Sequence, residues 1–370
     1  DELSAKFGNS VVVTDGVASA SITGKATANR DTVGGSVSVN GVKSATVDVA
    51  SKAVVGGNLF VNAGNGADSE SATEQTYVRD AKTGVATASE KIVSTSGAAA
   101  AQGNAAATIA GTVEDGTYVN AGRGNATVTL TGVSEDYVTA IADGNVTKTT
   151  VEREWTGKTK SASENFGTLV GSLTGRTLEE SVTTEITRVG GKATVLVDTA
   201  QALKDKAAVA ADEVYASGVS AASVEITQGS IVASDVEAES VAFNSVTTST
   251  TSNDGKGTAN LASETKTTIV GGPASVTNAG LIGDDVFVTS ATSATVTNTG
   301  KIGDNVSASA IVDGFNSSSE TTNFGKASLQ TATVVSTPVV ALGKASVTNA
   351  AGATIGGDIS GFGGITQSGS

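Results

Sequence analysis

The chain has 370 residues, 23 Lys and Arg against 37 Asp and Glu, and a net charge of −14. It contains no His, Cys or Met, which excludes a Ser-His-Asp triad, a Cys-His pair, disulfides and any His- or Cys-ligated zinc or iron site within it. Hydrophobic residues make up 38%, mostly Ala and Val, with 4% aromatic residues and 45 glycines, a composition that suits a narrow interior and not a wide globular core.

The basic residues are scattered, too thinly for phosphate neutralisation, so nucleic acid is not an expected partner. No apolar run approaches 18 residues, so no transmembrane segment is expected. A start at Asp1 without Met reads as a processed, exported chain. The expected cofactor is none; only oxygen ligands remain for a metal, which suits calcium or magnesium.

In chain order, Gly8–Gly24 (GNSVVVTDGVASASITG) is already strand-like. ATVDVASKAVVGGNL (Ala45–Leu59) follows, then VNAGNGA from Val61, which recurs as VNAGRGNA from Val119. Residues 71–96 place a turn-like Asp80–Gly84 between alternating polar arms and read as a hairpin excursion within N-terminal repeats spanning 1–150. The segment 151–221 reads as an excursion region holding the only Trp, Trp155, and ending in a candidate helix over 199–215. There Ala200, Leu203, Ala207, Ala210, Ala211 and Val214 share roughly one helical face.

The region 222–370 carries the clearest repeats, with further excursions at 242–270 and 311–343. ASVTNAGLIGDDVFV (Ala274–Val288) returns 20 positions later as ATVTNTGKIGDNVSA (Ala294–Ala308), and ASVTNAAGATIGGDI (Ala345–Ile359) is a third copy. Shorter echoes begin at Ala126, Ala193 and Ala222. A 20-residue unit of short alternating strands cannot bury its own apolar row, but stacking the next unit about 4.8 Å away buries it and pairs the backbone. This predicts an all-β parallel β-helix, a β-solenoid, with ladders Val276–Val296, Ile282–Ile302 and Asn278–Asn298. Ala274, Val276, Ile282, Val286 and Val288 should point inward, and Asn and Gly should serve the corners.

The units ASVTNAGLIGDDV and ATVTNTGKIGDNV resemble the degenerate repeats of secreted bacterial β-solenoid adhesins, the autotransporter passenger domains and filamentous-haemagglutinin-like proteins. The holdfast-anchor adhesins are a further possible match. The resemblance is specific over about 50 residues around the 20-residue pair. It implies export, a right-handed parallel β-helix and a surface role in adhesion or assembly. The sequence departs from those families in its long excursions.

Three kinds of candidate site follow. Asp284, Asp304 and Asp358 at the corners could line a calcium site, although Asp also simply suits turns. Trp155, Tyr77, Tyr118, Tyr137 and Phe166 could form glycan- or protein-binding surfaces, or pack locally. Glu152, Glu154, Glu179 and Glu180 are the densest acids available for carbohydrate hydrolysis. The leading expectation is a non-enzymatic secreted cell-surface anchor, adhesin or fibre subunit. Its partners would be other surface proteins, extracellular polysaccharide, or copies of itself through the ends of the stack. An extracellular glycan-binding module is the alternative, and a carbohydrate-active enzyme the third.

Overall fold

The computed structural model describes residues 2–4, 11–22, 32–64, 67–98, 103–160, 165–199, 209–254, 258–324 and 330–369. The protein is nearly all β, with 72% of it in strands, and is dominated by a large, nearly closed sheet of parallel strands.

The parallel strands fall into ladders. In ladder A, Leu59–Ala63 pairs with Thr117–Ala121, which pairs with Tyr137–Ala142, then Glu213–Gly218, Val236–Ser240, Val286–Ser290, Val306–Ser309 and Ile359–Phe362. In ladder B, Asn104–Ile109 pairs with Ala126–Leu130, then Lys192–Val197, Ala221–Ile226, Pro273–Asn278, Ser293–Asn298 and Lys344–Asn349. Val11–Ile22 and Val37–Val49 are long enough to contribute to both. Ladder C consists of two-residue strands such as Val54–Val55, Leu281–Ile282 and Lys301–Ile302. The chain passes through C, A and B in the same order in layer after layer.

The repeats are therefore rungs. Val276 pairs with Val296, Ile282 with Ile302 and Asn278 with Asn298. The echoes at Ala126, Ala193, Ala222 and Ala274 are consecutive rungs of ladder B, and Val61 lies directly against Val119 in ladder A. Alternation puts every second residue inside, so Ala126, Val128 and Leu130 are buried, as are Ala274, Val276, Ile282, Val286 and Val288. Each buried Val contributes on the order of 1.5–3 kcal/mol of transfer free energy. One contiguous core runs from Ala18 to Val347.

Two expectations are corrected. Where a helix was expected over 199–215, Glu213–Gly218 is a strand of ladder A, and Ala210, Ala211 and Val214 are buried in the parallel core; 200–208 lie outside the described residues. The Ala spacing suited a helix face, but pairing with Tyr137–Ala142 and Val236–Ser240 overrides it. The only helix among the described residues is Phe166–Ser172, started by Asn165, whose side chain accepts from the backbone of Thr168.

The excursions are four hairpins, but they do not project separately. Hairpin I (Ala67–Arg79 and Val85–Ala98), II (Gly144–Lys158 and Thr174–Val189), III (Ala242–Asn253 and Thr258–Val270) and IV (Ile311–Phe324 and Gln330–Leu342) join edge to edge into one eight-stranded antiparallel sheet. Each leaves between a ladder A and a ladder B strand, and only in alternate layers. The intervening layers cross directly, as at Gly218 to Ala221 and Ser290 to Ser293. A hairpin is two strands wide, about 9.6 Å, and two layers advance the stack by the same distance. One hairpin per two layers therefore fills the second sheet without gap or crowding.

Candidate functional site

The corner carboxylates are built into the stack. Asp235 Oδ1 accepts from the backbone N–H of Asp285 at 3.0 Å, Asp285 Oδ1 from Asn305 at 2.7 Å, and Asn305 Oδ1 from Asp358 at 2.8 Å. Each side chain thus holds the backbone of the next rung. Asp235, Asp284 and Asp285 bring carboxylate oxygens within 4.8 Å of one another; neither Asp304 nor Asp358 belongs to that group. Partial desolvation, then the carboxylates of Asp235, Asp285 and Asp304, raise the pKa of Asp284. Turn capping accounts for Asp235 and Asp285, and Asp284 and Asp304 are exposed beside them.

The five aromatic candidates divide into two groups. Trp155 and Phe166 meet edge to face at 5.8 Å beside a small core of Ala86, Ala88, Leu169 and Leu173, where the helix closes over hairpins I and II. Tyr77 lies in the same cross-strand row, opposite Ala88, which is opposite Trp155. Tyr118 stacks on Phe60 of the previous rung at 5.3 Å on the outer face of ladder A, and Tyr137 is exposed on the next rung. Trp155 and Tyr118 thus have packing partners, and the five do not converge.

A concavity of about 650 Å³ lies on the hairpin sheet and draws its lining from all four hairpins. Its acids come from Glu74 and Glu90 on hairpin I, Glu152, Glu154, Glu179 and Glu180 on hairpin II, and Glu320 on hairpin IV. Glu152 is bound by Lys91 at 2.7 Å, whereas Glu154 stands directly opposite Glu179 across hairpin II. Also in the lining, Arg153 donates to Glu180 and, at 3.3 Å, to Glu90, which accepts in turn from Gln75 at 2.7 Å. Of the four dense acids, Glu180 therefore holds Arg153 within hairpin II, while Glu90 makes the tie to hairpin I. Thr76, Ser89, Ser181, Thr250, Ser252 and Asn260 give the trough a floor rich in hydroxyl groups.

A row of hydroxyl side chains also crosses the whole sheet in register: Ser71, Ser94, Thr149, Thr184, Thr247, Thr265, Ser317 and Ser336. The signal is spread over some 265 residues of sequence (336 − 71 = 265) and exists only once four hairpins share one sheet.

No family model, no curated protein and no solved structure matches this chain.

Proposed function

We propose that the chain is a β-solenoid, a right-handed parallel β-helix, that works as a secreted structural or adhesive protein at a bacterial cell surface. What supports this reading above all is the repeated passage through three parallel ladders in one order, with a lateral sheet of hairpins keyed to every second layer. Such a body offers a long, stiff surface and acts by shape and contact, without turnover. Its partners in this reading are other surface proteins, extracellular polysaccharide, and copies of itself through the ends of the stack.

The test is to fractionate cells expressing the native gene and to label intact cells with antibody against hairpin-sheet residues, comparing surface attachment with and without the gene. Surface label together with weakened attachment or a lost surface assembly is expected. An internal protein, or attachment unchanged by deletion, would overturn the reading.

The trough favours a second reading, an extracellular glycan-binding module, because carboxylates and hydroxyls line it together. Retention on a glycan panel that is lost in Glu154→Gln/Glu179→Gln would favour it. Release of reducing sugar would instead favour a carbohydrate-active enzyme.

A further inference from the structure

We propose that the free edge of hairpin IV, strand Gln330–Leu342, pairs antiparallel with the same strand of a second copy of this chain, joining two eight-stranded sheets about a two-fold axis. Among the described residues this strand pairs only with Ile311–Phe324, so one row of its backbone groups faces outward.

The two edges of the hairpin sheet differ in chemistry. Ala67–Arg79, the other edge, contains Asp68, Glu70, Glu74 and Arg79, the kind of charge that discourages strand addition. Gln330–Leu342 has no charged residue in its 13. It exposes Val334 (73%), Val335 (50%), Val340 (49%) and Leu342 (76%). Val334 and Val335 are neighbours on opposite faces, so both faces are apolar at this edge. A second copy is the occupant that this chemistry fits. Two uncharged strands meet without repulsion, and an antiparallel strand pair about a two-fold axis is self-complementary. Hairpin IV leaves from the last hairpin-bearing layer, so this edge lies beside the C-terminal end of the parallel stack, in a sheet separate from the ladders.

The register can be derived from Pro338. The carbonyl of Phe315 accepts from Thr267 Oγ1 at 2.8 Å, so the backbone of Phe315 faces hairpin III. Its cross-strand partner Pro338 therefore turns its own ring nitrogen and carbonyl toward the open edge. Residues of the same parity, including Val334 and Ser336, present N–H and C=O outward, but Pro338 has no N–H to give. Centring the two-fold axis on Val334 pairs Val334 with Val334 of the second copy and moves Pro338 to the periphery, opposite Gln330. Such a hydrogen-bonded pair brings Cα atoms to about 5.5 Å, within disulfide reach.

The chain has no native Cys, so the test is clean. Sedimentation of the full chain from dilute to near-millimolar protein should show a monomer–dimer equilibrium, and Val334→Lys should weaken it by roughly tenfold or more. Val334→Cys should form an interchain disulfide on oxidation, and Ser71→Cys on the charged edge should not. Circular dichroism of each variant separates loss of pairing from loss of folding. A chain that is monomeric throughout, a dimer indifferent to Val334→Lys in a folded variant, or linkage through position 71 and not 334 would overturn the proposal.

Discussion

Asn278 and Asn298 lie one above the other inside the parallel stack: Asn278 Nδ2 donates to Asn298 Oδ1 at 2.9 Å, and neither residue is solvent-exposed. The ladder continues as Asn298 Nδ2 donates to Asn349 Oδ1 at 2.7 Å. Earlier rungs carry Ile226, Val197 and Leu130 at this position. The interior thus changes from aliphatic to amide partway along, and every amide has partners. Asn298 also donates to the Thr354 carbonyl and accepts from Gly300 N–H.

Asn298→Ala leaves several buried polar groups without a partner and opens space in the core. We expect a loss of about 2–4 kcal/mol in urea unfolding. Asn62→Ala removes the same kind of bond, Asn62 Nδ2 to Asn40 Oδ1 at 2.9 Å, but on the half-exposed outer face. Water can replace it there, so its cost should stay at about 1 kcal/mol or less. Equal effects would contradict a buried amide ladder.

Gly303 stacks directly on the carbonyl of Gly283, where an added Cβ would overlap the oxygen, and Gly356 stacks likewise on Gly303. The glycine requirement here is close approach between rungs, not positive φ. Gly303→Ala should lower the melting temperature strongly because the rungs must separate. Gly171→Ala, in the helix with open space around it, should be neutral or stabilising by up to about 1 kcal/mol. Comparable melting temperatures for both variants would count against the stacking.

Arg153 ties hairpin II to hairpin I through Glu90 and is held within hairpin II by Glu180. Arg153→Met leaves two carboxylates flanking an apolar side chain and should cost about 1–2 kcal/mol, less than a fully buried pair because the site is part-exposed. Faster proteolysis of hairpin I, with the parallel core intact, is the expected readout. Unchanged proteolysis would show that backbone pairing alone holds the junction.

Tyr215 donates to Glu239 Oε2 at 2.9 Å, and burial, with the Glu239 carboxylate adding, raises its phenol from 10.0 to about 12. A raised folded pKa contributes stability that is complete below pH 10 and is lost as pH climbs through 12. The melting-temperature difference between the native chain and Tyr215→Phe should therefore be flat up to pH 10 and then fall toward pH 12. A difference that grows with pH would refute this.

The parallel ladders were legible because each rung repeats its neighbour: Val276, Ile282 and Asn278 have partners 20 positions away. The hairpins were legible one at a time, from turn signals such as Asp80–Gly84, but their union was not. That union depends on matching two strand widths to two layers, a relation between distant segments that no local pattern records. Trp155 was open to a binding surface or to local packing, and its contact with Phe166 depends on the helix, whose short apolar run at 166–172 lacks a strong helical period. Ala-rich 199–215 misled for the converse reason, since Ala fits a helix face and a narrow stack equally well.

The most direct test of the stack is a spin-label distance between Thr46→Cys and Ser346→Cys, which are 300 positions apart in sequence and occupy the same outward position in ladder B. Seven successive pairings separate them, through Ala106, Thr127, Thr194, Ser223, Ser275 and Thr295. At about 4.8 Å per rung the backbone separation is about 34 Å, and a narrow distribution near that value, broadened only by the label arms, is predicted. A broad distribution, or one centred far from it, would contradict the stacked architecture.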